Sequence, residues 1–313
     1  MISGVWQDRR VIVAGGTAGF GLVLARHLTR HGARVLVVGR SGEGVRRALE
    51  TLERDSPDGD SPDGDGSGAA GAGRTRGLTA DLSRAGEGGR VVGEALRILG
   101  GVDDVFFCVG RSGRGAILRT DTATLRDYFD ANVSSAVELT TAAADDVAAA
   151  HGHMVYVGSL AGKLVTPFMG PYSVAKSALA AYVDAVRLEL GPRGVHVLLV
   201  SPGPIRRDDG DPRADDAADR YAADVARSGL PPEAAAPGGS GSLRRLDPDR
   251  LATAVLTACR RRQSELVMPR SAGLLAGIVE WCPEWGRWLL AAVTGRPSGS
   301  AALASPPRRK DEP

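Results

Sequence analysis

Short apolar runs alternate along the chain with longer stretches in which apolar positions recur with the period of a helix. Apolar runs bounded by glycine or polar residues are typical of strands buried in a parallel sheet, and the helical stretches are typical of the helices that cover it. The alternation predicts an α/β fold, with a doubly wound parallel sheet of about seven strands and helices on both faces. The predicted strands span 11–14, 34–38, 77–80, 104–108, 153–157, 195–200 and 265–268. The predicted helices span 20–30, 44–53, 90–99, 121–149, 171–190 and 247–262.

Three segments interrupt this alternation, because they are rich in Gly, Pro, Ala, Ser and Asp and poor in apolar anchors. Segment 55–73 contains the unit SPDGD twice and is predicted to be an inserted, disordered surface loop. Segment 206–242 is predicted to be mobile, and the tail 296–313 to be disordered. We therefore expect a single domain over 1–270, an apolar helical extension over 271–295, and then the tail.

Composition and charge argue against several classes of protein. The 313 residues are 43% hydrophobic, which is enough for one large α/β domain. Lys and Arg number 39 against 37 Asp and Glu, and this net charge of +2 gives no general attraction to nucleic acid or anionic lipid. The 3 cysteines form no C-x-x-C pair and no secretion leader is visible, so we expect a reducing, cytoplasmic setting.

A glycine-rich turn, AGGTAGFG at 14–21, follows the first predicted strand and opens the first predicted helix. Glycine lets the backbone turn tightly and approach a pyrophosphate, while the helix N-terminus presents N–H groups to the anion. Gly15, Gly19 and Gly21 are the expected carriers of a dinucleotide site. The alternative is a turn that is rich in glycine only because strand and helix pack closely there.

The second predicted strand ends in Gly39-Arg40-Ser41, where a dinucleotide site would meet the adenosine ribose. An acidic residue at this point would hold the ribose hydroxyls of NAD(H), whereas an arginine pairs with the 2′-phosphate of NADP(H). Arg40 therefore favours NADP(H) over NAD(H) as the cofactor. The alternative is an ordinary solvated arginine in a loop.

Ser159, Tyr172 and Lys176 follow the pattern S-x12-Y-x3-K, with the serine at a strand end and the other two residues at a helix start. Tyr172 and Lys176 share one face of the predicted helix, so the ammonium can stabilise a phenolate. A phenol ordinarily titrates near pH ~10, and the cation would make Tyr172 a usable proton donor or acceptor. Each residue alone would more often be structural or solvated than catalytic. Their conjunction after the glycine turn favours catalysis.

These motifs, together with Asp81, FCVG at 107–110, Asn132, GSLAG around Ser159, YSVAK and SPGPI, resemble the short-chain dehydrogenase/reductase family in their order. The resemblance covers 9–205 and extends more weakly to 269. It implies a Rossmann-like fold. It also implies transfer of a hydride between NADP(H) and a carbonyl or alcohol group of a small molecule.

The resemblance further implies a catalytic tetrad of Asn132, Ser159, Tyr172 and Lys176, in which Asn132 holds a water of a proton relay. Without the resemblance, Asn132 would be taken as an ordinary polar residue in a long helix, and Asp81 as a helix cap. The implied cofactor contacts are Gly15, Thr17, Gly19, Phe20, Gly21, Arg40, Asp81, Leu82, Gly110, Tyr172, Lys176, Pro202, Gly203 and Ile205.

Two larger features also follow from the resemblance. Segment 206–242 is expected to form a mobile lid over the substrate, because it comes after the sixth predicted strand. The helices at 121–149 and 171–190 are expected to form the interface of a homodimer or homotetramer.

The chain departs from the family pattern at three places. Ala14 replaces a threonine in the glycine turn, FCVG at 107–110 replaces NNAG, and Arg206-Arg207 follows where a threonine often contacts the nicotinamide. We expect altered packing beside the cofactor with binding retained, and an arginine pair in a solvated loop. The departures leave open a dinucleotide-binding regulator or scaffold without turnover. A methyltransferase also uses a glycine-rich first turn, but it would not explain the Y-x3-K pattern.

The apolar extension contains 3 of the 4 tryptophans, all within 281–288. A transmembrane span is not expected there, because Pro283, Gly286 and several charged residues interrupt the run. Segment 274–293 is expected to contact a membrane surface or a partner, or to pack as a helical flap on the substrate side or at a dimer contact. Membrane contact would fit an apolar carbonyl substrate.

Two histidines, His151 and His153, flank the turn before the fifth predicted strand. No third ligand of suitable spacing accompanies them in the sequence. We therefore expect both to be loop residues and expect no metal site.

Overall fold

The computed structural model describes residues 4–55, 74–206, 217–235 and 245–294. Its strands are β1 (Arg10–Ala14), β2 (Arg34–Gly39), β3 (Thr75–Thr79), β4 (Asp104–Phe107), β5 (His153–Val157), β6 (His196–Pro202) and β7 (Glu265–Met268). They form a 7-stranded sheet in the order β3-β2-β1-β4-β5-β6-β7, and every pairing is parallel. The strand order reverses between β1 and β4, which opens a crevice at the carboxyl ends of these strands.

Helices cover both faces of this sheet. They are α1 (Gly19–Arg30), α2 (Gly42–Arg54), α3 (Glu87–Leu99), α4 (Thr122–Phe129), α5 (Ser135–Ala149), α6 (Gly170–Leu190), α7 (Ala217–Ser228), α8 (Pro248–Arg260), α9 (Arg270–Trp281) and α10 (Pro283–Thr294). On one face, α3, α5 and α6 bury Ala95, Leu139 and Leu179. On the other face, α1 and α8 bury Leu28 and Leu251. The predicted doubly wound fold is confirmed.

The central strands are apolar because the helical layers bury them on both sides. All of β6, HVLLVSP, is buried, and β1 and β4 are buried in nearly every residue. Such continuous apolar runs distinguish a parallel sheet from a sheet with one solvated face. The burial holds the strand ends in place, and these ends carry the polar residues described below.

Ion pairs close the amino edge of the sheet, by which we mean the end where the strands begin. Arg9 donates from Nε and Nη2 to the two carboxylate oxygens of Asp104, each at 2.6 Å. The buried Asp104 carboxylate also accepts the His153 backbone N–H at 2.9 Å. Beside this pair, Arg10 binds Asp103 through its backbone and its guanidinium. The amino edge therefore pairs its charges internally.

His153 is not a loop residue, contrary to expectation, whereas His151 does lie in a turn. His153 is the buried first residue of β5, and its Nδ1 lies 2.8 Å from Nδ1 of His196, the first residue of β6. His196 Nε2 lies 2.7 Å from the carbonyl oxygen of Gln263, which only accepts. His196 therefore carries its proton on Nε2, and His153 donates to it.

Cys259 from α8 brings a third ligand-type atom near this histidine pair. The sulfur and the two histidine ligand nitrogens lie within 4.8 Å of one another. The absence of a third ligand at suitable spacing in the sequence therefore did not exclude a third ligand-type residue in space. The three residues come from three separate elements, so their spacing in the sequence carried no signal.

The predicted helix 121–149 needs correction, because it contains a π-helical turn, Asp130–Ser134, between α4 and α5. Segment 206–242 contains helix α7 and a short 3-10 turn at Pro232–Ala235, and its mobility stays a prediction. An alanine-rich composition is compatible with a helix once Val225 has a core to pack against.

The remaining predicted strands and helices are present, with shifted ends. Several of the interrupting segments fall outside the described residues. These are 56–73 of the insertion, 207–216 and 236–244 of the expected lid, and the tail 296–313.

Helices α9 and α10 form the extension and pack on each other at Gly286, where a Cβ would lie 2.5 Å from the Val279 Cα. They bury Ala272, Ala276 and Leu290 against Leu160 and Leu164, which follow β5. The extension therefore lies beside the turn that carries Ser159. No helix among the described residues is long and apolar enough to cross a bilayer. Contact of 274–293 with a membrane surface stays a prediction.

Candidate active site

The glycine-rich turn lies at the carboxyl edge, where the strands end, between β1 and α1. Gly15 has a φ of 75°, a backbone conformation that favours glycine. A Cβ on Gly15 would lie 2.9 Å from the Cys108 carbonyl carbon, and one on Gly21 would collide with the Gly15 carbonyl oxygen. Gly19 begins α1, whose N-cap residue Ala18 makes no side-chain cap and whose first turn has no acidic residue. A glycine turn whose backbone is free of side chains, at the N-terminus of a helix, fits a dinucleotide pyrophosphate.

The expected adenosine end lies at the ends of β2 and β3. Arg40 is exposed there, and its positive charge contributes to lowering the pKa of Asp81. Asp81 accepts hydrogen bonds from the Ser83 hydroxyl at 2.7 Å and the Ser83 N–H at 3.2 Å, and the hydroxyl contact contributes most to lowering the pKa of Asp81. Asp81 therefore caps a turn and not a helix, because the N-cap residue of α3 is Gly86, so the interpretation of Asp81 as a helix cap is wrong. Leu82 is buried, so only its backbone can face a cofactor.

The other predicted cofactor contacts lie along the same edge. Thr17 packs against the end of β2, and Phe20 packs on the core beneath the glycine turn. Pro202 ends β6, and the Gly203 N–H donates to the last residue of β7 at 2.7 Å. Ile205 pairs with the segment that leads into α8. These residues lie along the carboxyl edge, and their contacts with a cofactor stay predictions.

Tyr172 and Lys176 lie one turn apart near the start of α6, as predicted. Lys176 is 5% exposed, and its Nζ donates to the Val157 carbonyl oxygen at 3.1 Å. The same Nζ lies 6.0 Å from the centroid of the Tyr172 ring. Burial lowers the pKa of Lys176 to about 8. A cation held beside a phenol away from water stabilises the phenolate more than a hydrated cation would.

Asn132 lies in the π-helical turn and is completely buried. Its Nδ2 donates to the carbonyl oxygens of Tyr128 at 2.9 Å and of Arg111 at 3.1 Å. Its Oδ1 accepts no hydrogen bond from any residue that the structure describes. Single π turns are frequent at functional sites, and a buried acceptor without a partner fits a bound water or ligand.

Gly110 is the point where the predicted catalytic residues converge. A Cβ at Gly110 would lie 2.7 Å from Asn132 Oδ1 and 3.1 Å from Lys176 Nζ. Ser159 begins a short 3-10 turn and accepts a backbone N–H two residues later at 3.1 Å. This turn packs on α6, since a Cβ at Gly162 would lie 2.8 Å from the Lys176 carbonyl oxygen. The structure therefore brings Asn132 and Lys176 together and holds the Ser159 turn against the same helix.

Cys108 is a site residue whose place the sequence did not show. Its Cβ lies 3.1 Å from the position of a Cβ on Gly21, and it interacts electrostatically with Lys176. Desolvation raises the pKa of the Cys108 thiol to about 12, so the thiol is neutral at physiological pH. In the sequence, Cys108 was only a departure from the family pattern. In the structure it packs against the glycine turn at Gly15 and Gly21 and interacts with Lys176.

The remaining departures are also explained. Ala14 is completely buried at the end of β1, where its small side chain belongs to the core. Arg206 is exposed and pairs with Asp247 at 3.2 Å, in agreement with a solvated position. Arg207 lies outside the described residues.

A sequence profile described as "short chain dehydrogenase" matches residues 9–216, about two thirds of the chain. The chain belongs to the short-chain dehydrogenase/reductase family. Within this family, "Dehydrogenase/reductase SDR family member 7B" of Danio rerio is 30% identical over 206 residues, which cover 64% of this chain and 62% of that protein. The protein of the same name from Rattus norvegicus is 31% identical over 194 residues, 62% of this chain and 57% of its own. The chain thus matches less than two thirds of these relatives' length.

Two further relatives agree with this assignment. "Dehydrogenase/reductase SDR family member 2, mitochondrial" of Homo sapiens is 29% identical over 209 residues, 66% of this chain and 68% of that protein. A solved structure described as "short chain dehydrogenase/reductase family protein" has a TM-score of 0.62 and 25% identity, and the match covers 84% of this chain and 96% of that chain. The predicted family and the Rossmann-like fold are confirmed.

Proteins of the short-chain dehydrogenase/reductase family are oxidoreductases that bind a nicotinamide dinucleotide cofactor. The residues of the carboxyl edge fit this cofactor, because the glycine turn leaves room for a pyrophosphate at the start of α1. When bound, the nicotinamide supplies or accepts a hydride. Tyr172 lies beside the buried Lys176 at this edge, and its role in proton transfer stays a prediction.

Proposed function

We propose that this short-chain dehydrogenase/reductase uses NADP(H) to interconvert a carbonyl and an alcohol group of a small molecule. The observation that carries the proposal is the convergence of Lys176 and Asn132 at Gly110, with Tyr172 one helical turn from Lys176. A dinucleotide-binding regulator would not need a buried lysine beside a phenol. Burial of that ammonium lowers its pKa and costs free energy, which the rest of the fold has to offset.

Each residue has a separate role in the proposed reaction. The Tyr172 hydroxyl gives its proton to the carbonyl oxygen, or takes the proton from the alcohol, and the Ser159 hydroxyl hydrogen-bonds the same oxygen. Lys176 stabilises the phenolate that remains on Tyr172. Asn132 Oδ1, which has no partner among the described residues, accepts a hydrogen bond from a water that returns the proton.

The preference for NADP(H) over NAD(H) rests on Arg40. Arg40 is exposed at the end of β2, where it faces Asp81. A guanidinium at this point pairs with a 2′-phosphate by charge-assisted hydrogen bonds, and a cofactor without that phosphate gains nothing from it. The proposal thus predicts tighter binding of NADPH than of NADH.

The test is fluorescence titration of the purified protein with NADPH and, separately, with NADH. Arg40→Ala should weaken NADPH binding roughly 10- to 100-fold, the value of a charge-assisted hydrogen bond, and leave NADH binding unchanged. The control is Arg47→Ala, because Arg47 is an exposed arginine of α2 whose ion pair with Glu43 spans 3.9 Å. Equal binding of both nucleotides by the unmodified protein would overturn the preference. No binding of either would overturn the proposed reaction.

We propose further that the substrate is apolar. The turn after Ser159 supplies buried Leu160 and Leu164 and the 61% exposed Val165, and the extension packs against it. Apolar surface beside the reacting group favours apolar ligands. With a series of straight-chain methyl ketones of increasing length, KM should fall as the chain lengthens. A preference for the shortest or for charged ketones would contradict this proposal.

A homodimer or homotetramer through α5 and α6 is also proposed. Val137 on α5 and Val174 and Leu188 on α6 are exposed apolar residues, and Leu188 is 79% exposed. Apolar side chains on long helices favour an interface between copies. Light scattering should give at least twice the chain mass, and Leu188→Glu should lower it. A monomer in the unmodified protein would contradict the proposal.

A further inference from the structure

Arg114 is a buried arginine in the loop that follows β4. It is 5% exposed, although a guanidinium is costly to remove from water without hydrogen-bond acceptors. The loop is also the one that holds Gly110, so Arg114 lies only a few residues from the proposed catalytic centre. Such burial of a charged side chain calls for a structural or functional reason.

The contacts of Arg114 lead to α7, which we call the lid helix. The guanidinium carbon lies 3.9 Å from the centroid of the Tyr221 ring, a close cation–π contact. Nε donates to the carbonyl oxygen of Ala234, just after the lid helix, at 2.8 Å. The Arg114 backbone N–H donates to the Asp224 carboxylate at 3.3 Å. Arg114 thus contacts two residues in the middle of the lid helix and one residue in the turn that follows it.

The same loop contacts two of the proposed catalytic elements. The Arg111 carbonyl oxygen accepts the hydrogen bond from Asn132 Nδ2 at 3.1 Å. The Gly115 N–H donates to the Phe168 carbonyl oxygen at 2.8 Å, just before α6 brings in Tyr172. The loop 110–115 therefore connects the lid helix with Asn132 on one side and with the entrance to α6 on the other.

We propose that Arg114 is a positioning residue, which fixes the lid helix over the carboxyl edge and thereby sets how the substrate is held at Tyr172. Its part in catalysis rests on the proposed function, whereas its part in holding the lid helix does not. The planar guanidinium matters, because it stacks on Tyr221 and hydrogen-bonds Ala234 at the same time. A lysine ammonium has no planar face to stack on the ring while its edge donates to the carbonyl oxygen.

The first test is hydrogen–deuterium exchange of the full-length protein without substrate. In Arg114→Ala and in Arg114→Lys, amides of the lid helix should exchange about tenfold faster or more, because a buried cation–π contact and a charged hydrogen bond are lost. The sheet should keep its protection. The control is Arg126→Ala, an exposed arginine of α4 whose side chain makes no hydrogen bond or ion pair within the described ranges. Unchanged exchange of the lid helix in Arg114→Ala would overturn the proposal.

The second test separates positioning from a merely structural role. For the best methyl ketone of the series, Arg114→Lys should raise KM roughly tenfold or more, with a smaller fall in kcat and no change in NADPH binding. Tyr221→Phe keeps the ring and should be mild, whereas Tyr221→Leu should resemble Arg114→Lys. The double variant Arg114→Lys/Tyr221→Leu should be no worse than either single variant. Additive effects of the two substitutions would overturn the coupling, and absence of NADPH binding would instead overturn the proposed function.

Discussion

At the amino edge of the sheet the buried charged groups and the histidine pair bind one another, and Trp6 Nε1 is the buried polar atom beside them that has no partner within the described residues. At the carboxyl edge several buried polar groups lie close together without binding one another. Arg9 and Asp104 form a bidentate salt bridge, and His153 Nδ1 donates to His196 Nδ1. At the carboxyl edge, by contrast, Asn132 Oδ1 accepts no hydrogen bond within the described part of the chain, and the buried Lys176 ammonium donates to the Val157 carbonyl oxygen at 3.1 Å. Both edges belong to the same strands, so the difference is not one of fold.

We infer that the amino edge serves stability and the carboxyl edge serves chemistry. Polar groups that pair with each other contribute to folding and have little left to offer a ligand. Polar groups that converge without mutual pairing are costly in the folded protein, and they are retained where a ligand or reaction uses them. The family assignment agrees with this division, because the cofactor of a doubly wound fold binds at the carboxyl ends of the strands.

The largest expected effect comes from removing the hydroxyl of Tyr172. Tyr172→Phe should lower turnover of a methyl ketone roughly 10³-fold, because the proton donor is lost, and should leave NADPH binding nearly unchanged. Steady-state NADPH oxidation and the fluorescence titration measure the two effects. Tyr182→Phe, further along α6, is the matched control and should keep turnover. Full activity of Tyr172→Phe would contradict the proposed role and favour the regulator hypothesis.

The next largest effect comes from the opposite edge. Arg9→Ala leaves the buried Asp104 carboxylate without its cation and should lower the free energy of unfolding by about 3–5 kcal/mol. Urea denaturation measures this loss. Folded Arg9→Ala should bind NADPH as the unmodified protein does.

The matched control for Arg9→Ala is Arg74→Ala, which removes an exposed ion pair with Asp8 and should cost less than about 1 kcal/mol. Loss of NADPH binding in folded Arg9→Ala would contradict the claim that the amino edge serves stability alone.

The smallest effect is the pH dependence contributed by the histidine pair. Burial, followed by the nearby His196, lowers the pKa of His153 from 6.5 to about 3. Between these two pH values the unfolded chain binds a proton at His153 that the folded chain does not. The free energy of unfolding therefore falls as the pH falls below 6.5, and this contribution is fully present above it. The loss is about 1.4 kcal/mol per pH unit at most.

Urea denaturation at about pH 7 and about pH 5 measures this dependence. His153→Gln should show a shallower loss of stability between the two conditions than the unmodified protein, by about 1–2 kcal/mol. His151→Gln, at an exposed turn position, is the control and should behave as the unmodified protein. If His153→Gln lost as much unfolding free energy between the two pH values as the unmodified protein, the acid sensitivity would come from other groups.

Much of the fold and the local motifs of the site could be predicted from the sequence. The strands are continuous apolar runs. The glycine turn is one short stretch between β1 and α1, and the Y-x3-K pair lies on one helix, so the spacing of these motifs along the chain fixes their spacing in the fold. The family assignment and the sheet are confirmed. The roles of Tyr172, Lys176, Ser159 and Asn132 stay predictions.

Features that depend on contacts between distant elements could not be predicted. His153, His196 and Cys259 meet only because β5, β6 and α8 come together at one edge. The lid helix forms in a segment whose composition suggested mobility, because Val225 and the loop at Arg114 give it packing partners. No periodicity indicates that one helix contains a π-helical turn, since the turn interrupts the period on which the prediction depends.

The most direct test of the division between the two edges is hydrogen–deuterium exchange across the whole protein with and without NADPH. We predict that NADPH slows exchange at the carboxyl edge, in the glycine turn at 14–21, the loop at 107–115 and the turn after Ser159. Exchange at the amino edge, around Arg9 and His153, should stay unchanged. Protection that is absent, or that falls on the amino edge, would contradict the account.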